Sequence, residues 1–294
     1  MIPSSFEYER AMSLDDALHK LRAANGTGKL IAGGHSLVPL MKLRLSEPTV
    51  LIDIGHISDL AGVHSFGEQV TDGDLSRKLQ IGALTTHHDV AMSSVLHEQC
   101  PAVVEAARSI GDSQVRNRGT LGGSLAHADP AADYPAVMLA LDADMHMVSI
   151  RGGMRAVKAS DFFQGVFTVD LAQDEILTKV TFTPILCSAY AKLYQRASRF
   201  AIVGVAAALE VTDGVITTAR VALTGATSKP TRLANVEATL VGQPASVDGV
   251  TAAVTIAGEE IKDLNDDIHA SAEYRLSMIP VFTRRALGGA LARA

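Results

Sequence analysis

Two diglycine segments constrain this chain more than any other feature: Ala-Gly-Gly-His-Ser at 32–36 and Thr-Leu-Gly-Gly-Ser at 120–124. Adjacent glycines leave main-chain amides bare and let other backbone come close, and a flanking Ser or Thr adds a hydroxyl donor. One such segment by itself is an ordinary tight turn. A pair about ninety residues apart points to a fold that brings distant stretches of chain around one anion. The two linked phosphates of a dinucleotide suit that arrangement.

The chain has 294 residues, enough for two domains at roughly 150 residues each. A formal charge of −6 argues against a nucleic-acid partner, which needs a basic face. The first ten residues, MIPSSFEYER, carry neither the basic nor the apolar region of a secretory signal. The apolar stretch near 201–209 is far short of the ~20 residues that span a bilayer. No integral membrane segment is expected, and the expected location is cytoplasmic. Cys100 and Cys187 are the only cysteines and form no C-x-x-C. Iron–sulfur clusters and cysteine-rich zinc sites need more thiolates than that, so both read as free buried thiols.

Along the chain, Ser13 caps a helix over 14–24 that carries Asp15 and Asp16 in its first turn. Asn-Gly-Thr-Gly at 25–28 stops it, a strand follows over 29–32, and the first diglycine segment comes directly after. With a second strand over 49–54 this forms a small β-α-β unit, whose loop lies at a strand's C-terminal end, a common ligand position. Further on, the pattern predicts a strand at 79–81, a helix from the Thr85-Thr86 cap, helices over 101–110 and 135–141, and strands over 145–150 and 157–159. From 176 it becomes hairpin-like, with Asp213-Gly214 between two β-rich runs. Helices over 232–240, 247–261 and 273–292 close the chain. A domain boundary is placed near 177.

Familiar nucleotide motifs fail. After Gly26-Thr27-Gly28 residue 31 is Ile, so G-x-G-x-x-G is broken, and Lys29 is followed by Leu30, so there is no P-loop. No G-x-S-x-G occurs, which disfavours hydrolase chemistry. Arg116 and Arg118 precede the second diglycine segment and raise the expected positive potential there. Asp133 has two readings, a helix N-cap before Pro135 or an acceptor for a ribose hydroxyl. His87 and His88 point in different directions on a helix and read as surface or capping residues. His35 is assigned a backbone or packing role near the ligand.

The order and spacing of several stretches carry a family resemblance: AGGHSLVPLMKLRL at 32–45, IGALTT at 81–86, RNRGTLGGSLAHADPAADYPA at 116–136 and DEIL at 174–177. Over essentially its whole length the chain resembles the FAD-binding medium subunit of molybdenum hydroxylases, the family of carbon monoxide dehydrogenase medium chains and xanthine dehydrogenase FAD subunits. The resemblance implies an α+β chain: a two-subdomain FAD-binding fold of the vanillyl-alcohol-oxidase/PCMH type over 1–177 (about 1–56 and 57–177), then an antiparallel sheet packed on helices over 178–294. It implies FAD held non-covalently, with Ala32, Gly33, Gly34, His35 and Ser36 and with Thr120, Gly122, Gly123 and Ser124 at the pyrophosphate. Thr85 lies nearby, Asp133 binds the ribose or ribityl region, Leu177 touches the adenine or ring system, and Lys192 belongs to the cofactor-binding set. No catalytic or metal-binding residue is implied. Molybdopterin and [2Fe-2S] clusters are expected only in a large and a small partner subunit, arranged as a dimer of heterotrimers that serves an external electron acceptor. A self-contained flavin oxidase or reductase is the alternative, and a non-catalytic nucleotide-binding module a third reading.

Overall fold

The computed structural model describes residues 2–69 and 75–294. The chain first forms β1 (Glu7–Arg10), α1 (Leu14–Ala23), β2 (Gly28–Ile31), α2 (Leu37–Lys42) and β3 (Val50–Asp53). The strands make a parallel three-stranded sheet in the order β1-β3-β2. Helix α1 starts where the sequence places it: Ser13 Oγ accepts from Asp16 N at 3.1 Å, and Asp16 Oδ2 accepts from Met12 N at 2.9 Å. Such reciprocal capping satisfies amides that the first turn leaves without partners. Ala17, Leu18 and Leu21 form its buried face.

The second unit runs through β4 (Val63–Gln69), β5 (Leu75–Gly82), α3 (His87–Met92), α4 (Ser94–Gln99), α5 (Pro101–Ser109), α6 (Ser113–Arg116), α7 (Leu121–His127) and α8 (Tyr134–Ala140). It continues with β6 (Asp144–Ser149), β7 (Gly153–Lys158), α9 (Ala159–Phe162), β8 (Phe163–Gly165), β9 (Thr168–Val169) and β10 (Glu175–Phe182). Its five-stranded antiparallel sheet has the order β4-β5-β10-β6-β7. Residue 177, the sequence-derived boundary, therefore sits inside the central strand of this sheet. The sheet ends at Phe182, and the break in the chain's organisation falls at 183–187. The local pattern misleads because β10 pairs with β5, about a hundred residues earlier, and not with the strands that follow it.

The third unit comprises β11 (Ser188–Tyr194), β12 (Ala201–Thr212), β13 (Val215–Thr224), β14 (Thr231–Arg232), α10 (Ala234–Leu240), α11 (Thr251–Thr255) and α12 (Ala272–Leu291). Asp213 (φ 51°) and Gly214 (φ 75°) both take positive φ in the β12–β13 turn, the backbone that an Asp-Gly hairpin turn requires. The helix predicted over 247–261 is reduced to α11; Gly258 takes φ 99°, outside the helical range. The chain as a whole is α+β.

Cores join the units. The largest apolar cluster contains Leu79, Val103, Met138 and Phe182 of the second unit together with Tyr190, Ala206 and Ala222 of the third. Cys100 is fully buried, and burial pushes its thiol up to about 11; Cys187 is half-buried, and both are free.

Arg155 on β7 clamps the segment that leads into β10. Its Nε donates to Glu175 Oε1 at 2.6 Å and its Nη1 to Asp170 Oδ2 at 2.8 Å. The guanidinium holds both carboxyls below their ordinary values. A lowered folded-state pKa means stabilisation that is complete above the unfolded carboxylate values, ~3.9–4.3, and is lost as pH falls through the folded ones. Arg155→Met is expected to destabilise the chain by about 1–2 kcal/mol at pH 7. The difference from the parent shrinks as urea midpoints are followed from pH 6 to pH 3; a constant difference would refute the assignment.

Candidate flavin site

A cavity of about 690 Å³ opens where the three units meet, within the range of small-molecule and cofactor sites. Residues 26 and 28–37 come from the first unit, Gly119–Thr120, Gly122–Ser124, Asp133 and Leu177 from the second, and Ser198, Arg199 and Phe200 from the third. Both diglycine segments face this one space.

The first segment leaves β2 and enters α2. Gly34 takes φ 76°, and the amides of Gly33, Gly34, His35 and Ser36 donate to no protein acceptor among the described residues. A run of free N–H groups around a left-handed residue is an anion-binding concavity. Gly33 is required by closeness: a Cβ there would stand 2.0 Å from the carbonyl oxygen of Arg118 and 2.8 Å from Gly119 Cα. The first segment is thus packed against the main chain that leads into the second.

The second segment differs from the bare loop expected. It is the start of α7: Thr120 Oγ1 accepts from Gly123 N at 3.1 Å, Leu121 N donates to Thr85 O, and Gly122 N donates to Ala83 O. Ser124 N donates to Thr120 O. All four amides of 121–124 are therefore used internally. The physical reason is the cap, since Thr at this position converts a glycine-rich turn into a helix start. Gly122 serves packing, because its Cβ would meet Ala83 Cβ at 2.4 Å. Gly123 is exposed and Ser124 half-buried toward the cavity.

Two other residues of the expected set stand behind the wall. Thr85 is 1% exposed, and its hydroxyl bonds the Gly62 amide at 2.9 Å. Lys192 is also absent from the lining. Its Nζ lies 2.8 Å from Asp133 Oδ1 and donates to Ser109 O at 3.0 Å and to Arg199 O at 2.7 Å. Asp133 lines the cavity but does not cap α8 with its side chain. Instead it accepts from Tyr190 OH at 2.5 Å and from Lys192. Burial lifts the Asp133 carboxyl above its usual range and lowers the Lys192 ammonium, with the pair's attraction opposing both. Leu177 lines the cavity beside a register shift between Leu177 and Lys179; such bulges re-aim side chains.

Arg116 does not reach the cavity: its guanidinium donates to Ile110 O and Gly111 O, and neither it nor Arg118 lines the space. The lining cations are Lys29 and Arg199. Arg199 takes φ 62°, an uncommon backbone for a non-glycine that recurs at ligand sites. His87 departs from the surface role read for it. It is 5% exposed and lines the cavity, and burial, then His35 and Arg116, lowers it to about 4. His127 and Phe167 also line the space, with ring centroids 5.0 Å apart. Nothing in the sequence singles out Phe167, His127 or the 198–200 turn.

The residues fit a dinucleotide such as FAD: free amides for an anion, hydroxyls of Thr120 and Ser124, and apolar walls at Leu30, Ile31, Ile110 and Leu177. Residues 4–184 match the family model of the FAD binding domain in molybdopterin dehydrogenase, and residues 188–290 that of the CO dehydrogenase flavoprotein C-terminal domain. The chain is 35% identical to the glyceraldehyde dehydrogenase medium chain of Sulfolobus acidocaldarius, covering 97% of this chain and 98% of the relative. It is also 35% identical to the nicotine 6-hydroxylase medium subunit of Paenarthrobacter nicotinovorans, with 98% of each covered. A carbon monoxide dehydrogenase structure from Hydrogenophaga pseudoflava superposes with a TM-score of 0.90 at 34% identity, over 100% of both chains. With both family models matched in order and full-length relatives of this kind, the chain belongs to the family of FAD-binding medium subunits of molybdenum hydroxylases.

Proposed function

We propose that this chain is the electron-relay subunit of a three-subunit molybdenum hydroxylase of the carbon monoxide dehydrogenase type. Substrate is oxidised at molybdopterin in a large partner, electrons arrive through two [2Fe-2S] clusters in a small partner, and they leave this chain for an external acceptor. The assembly is a dimer of such heterotrimers in the cytoplasm. FAD supplies, when bound, a carrier able to take electrons singly and release them singly or in pairs.

One observation carries the reading: a single cavity receives the free amides of 33–36, the capped start of α7 and a turn of the third unit. The amides of Gly33, Gly34, His35 and Ser36 bind the pyrophosphate, with Ala32 shaping the loop and Thr120, Gly123 and Ser124 facing it. Asp133 meets a polar part of the cofactor from its place on the wall. Leu177, Ile110 and Phe200 exclude water from it. Gly122 packs α7 against Ala83 at the wall, and Thr85 and Lys192 act from behind, by holding the start of α7 and the 198–200 turn in place. The chain's two cysteines, both free, leave the clusters to a partner. No helix among the described residues is long and apolar enough to cross a membrane.

The relatives act on compounds as unlike as an aldehyde and an N-heterocycle, by their names, at the same identity. Substrate choice accordingly belongs to the large partner. The test is purification of the chain with whatever accompanies it, followed by anaerobic reduction. A yellow complex whose flavin band bleaches with substrate only when both partners are present supports the proposal. An isolated chain bleached at the same rate by NADH or by its own substrate would establish the self-contained oxidoreductase instead.

A further inference from the structure

Nδ1 of His87 and the hydroxyl of Tyr134 are buried without a hydrogen-bond partner among the described residues. Their rings are neighbours, with centroids 5.4 Å apart and planes inclined by 52°. Native folds rarely keep such orphaned groups without a use for them. Tyr134 is fully buried, whereas His87 reaches the cavity wall.

The position of His87 is set from its main chain, whose N–H donates to Gly119 O at 2.9 Å. A Cβ on Gly119 would come within 2.6 Å of His87 Nε2 and 2.8 Å of its Cδ2. Glycine at 119 therefore lets the Nε2 edge of the ring pack close to the main chain there, while His87 itself lines the cavity. A Cβ on Gly33 would in turn lie 2.8 Å from Gly119 Cα. Gly33, Gly119 and the imidazole follow one another in space, so the ring lies next to the contact between the first diglycine segment and the approach to the second.

The tautomer follows from the same geometry. A buried N–H without an acceptor is rarer in proteins than a bare acceptor, so Nδ1 carries the lone pair and Nε2 the proton. Burial above all, then the neighbouring His35 and Arg116, lowers the ring to about 4 and keeps it neutral at physiological pH. It thus has a single donor, Nε2–H, on the ring edge nearest Gly119.

We propose that His87 is a flavin-binding residue whose Nε2–H donates to the cofactor's diphosphate beside the contact of Gly33 with Gly119. This inference rests on the flavin reading above and adds to it a residue from outside both motifs.

The test uses the full chain in its purified complex, stripped of flavin and titrated with FAD by fluorescence quenching. His87→Phe keeps the ring's shape and removes both nitrogens. Its FAD dissociation constant is expected to rise about tenfold or more, the loss of one hydrogen bond to a charged group. The urea midpoint of the flavin-free form should hold or increase, because a buried orphan is gone. His87→Gln, which restores an N–H donor, should recover part of the affinity, and the ³¹P resonances of bound FAD should move in the Phe variant. Unchanged affinity in His87→Phe would overturn the proposal. So would affinity and flavin-free stability falling together with no recovery in Gln, since that is the behaviour of a packing residue. A parent complex that takes up no FAD at all would sink the flavin reading, and this inference with it.

Discussion

Gly33→Ala is expected to yield a folded but colourless chain. The added methyl would stand 2.0 Å from Arg118 O and 2.6 Å from its carbonyl carbon. Both are backbone atoms, which cannot rotate away as a side chain can. The backbone at Gly33 does not need glycine for its dihedral angles, so space alone decides the outcome. Overpacking of this kind costs about 1–3 kcal/mol, and here it acts by pushing the free amides of 33–36 off the main chain that leads into the second segment. FAD affinity should fall by about a hundredfold, or ~3 kcal/mol, measured by flavin retention and titration. Gly288→Ala is the matching control: nothing lies within 4 Å of its Cβ position in α12, and alanine is favoured in a helix by ~1 kcal/mol. If Gly33→Ala retains flavin as firmly as the control, the two segments do not work as one site.

Lys192→Met should be the most destabilising single change. The side chains of Lys192 and Asp133 are only 3% and 5% exposed, and removing one partner leaves a buried charge without its counter-ion. Such losses run to about 3–5 kcal/mol. Tyr190 alone would remain to hold the Asp133 carboxyl, through its 2.5 Å hydrogen bond. Asp133→Asn combined with Lys192→Met should recover a large part of the loss, because the uncompensated charge is removed. Denaturant midpoints of the two single variants and the double variant measure this coupling directly. Additive losses would mean that the pair is not acting as a buried unit. The single variant should also shed flavin more readily, since Lys192 Nζ holds the carbonyl of Arg199, a residue of the cavity wall.

Local chemistry made much of the fold legible. Ser13, Thr86 and Asp213-Gly214 act through neighbours within a few positions, and each forms the cap or turn expected of it. Diglycine pairs also stand out in one dimension, and the convergence of both on a single cavity follows from their chemistry. The use of the second pair was not legible. Thr120 caps a helix, so Gly122 answers to Ala83, nearly forty residues earlier in the chain. Lys192 and Asp133 are legible as polar residues, but their mutual burial depends on β11 packing beside the start of α8. His87 looks like a surface histidine until Gly119 and Tyr134 are placed around it. In each case the missing information is long-range contact, which periodicity and turn chemistry do not encode.

The convergence of three units on one cavity has a consequence for how the protein matures. Ser198, Arg199 and Phe200 close a wall begun by residues 26–37, so the nucleotide cannot be enclosed until the ribosome has released β11 and β12. Until then the amides of 33–36 face open water and offer a free flavin only part of its site. Cofactor loading is therefore a late event in biogenesis, timed by synthesis of the last third of the chain, and a shortage of flavin would leave complete polypeptides waiting empty.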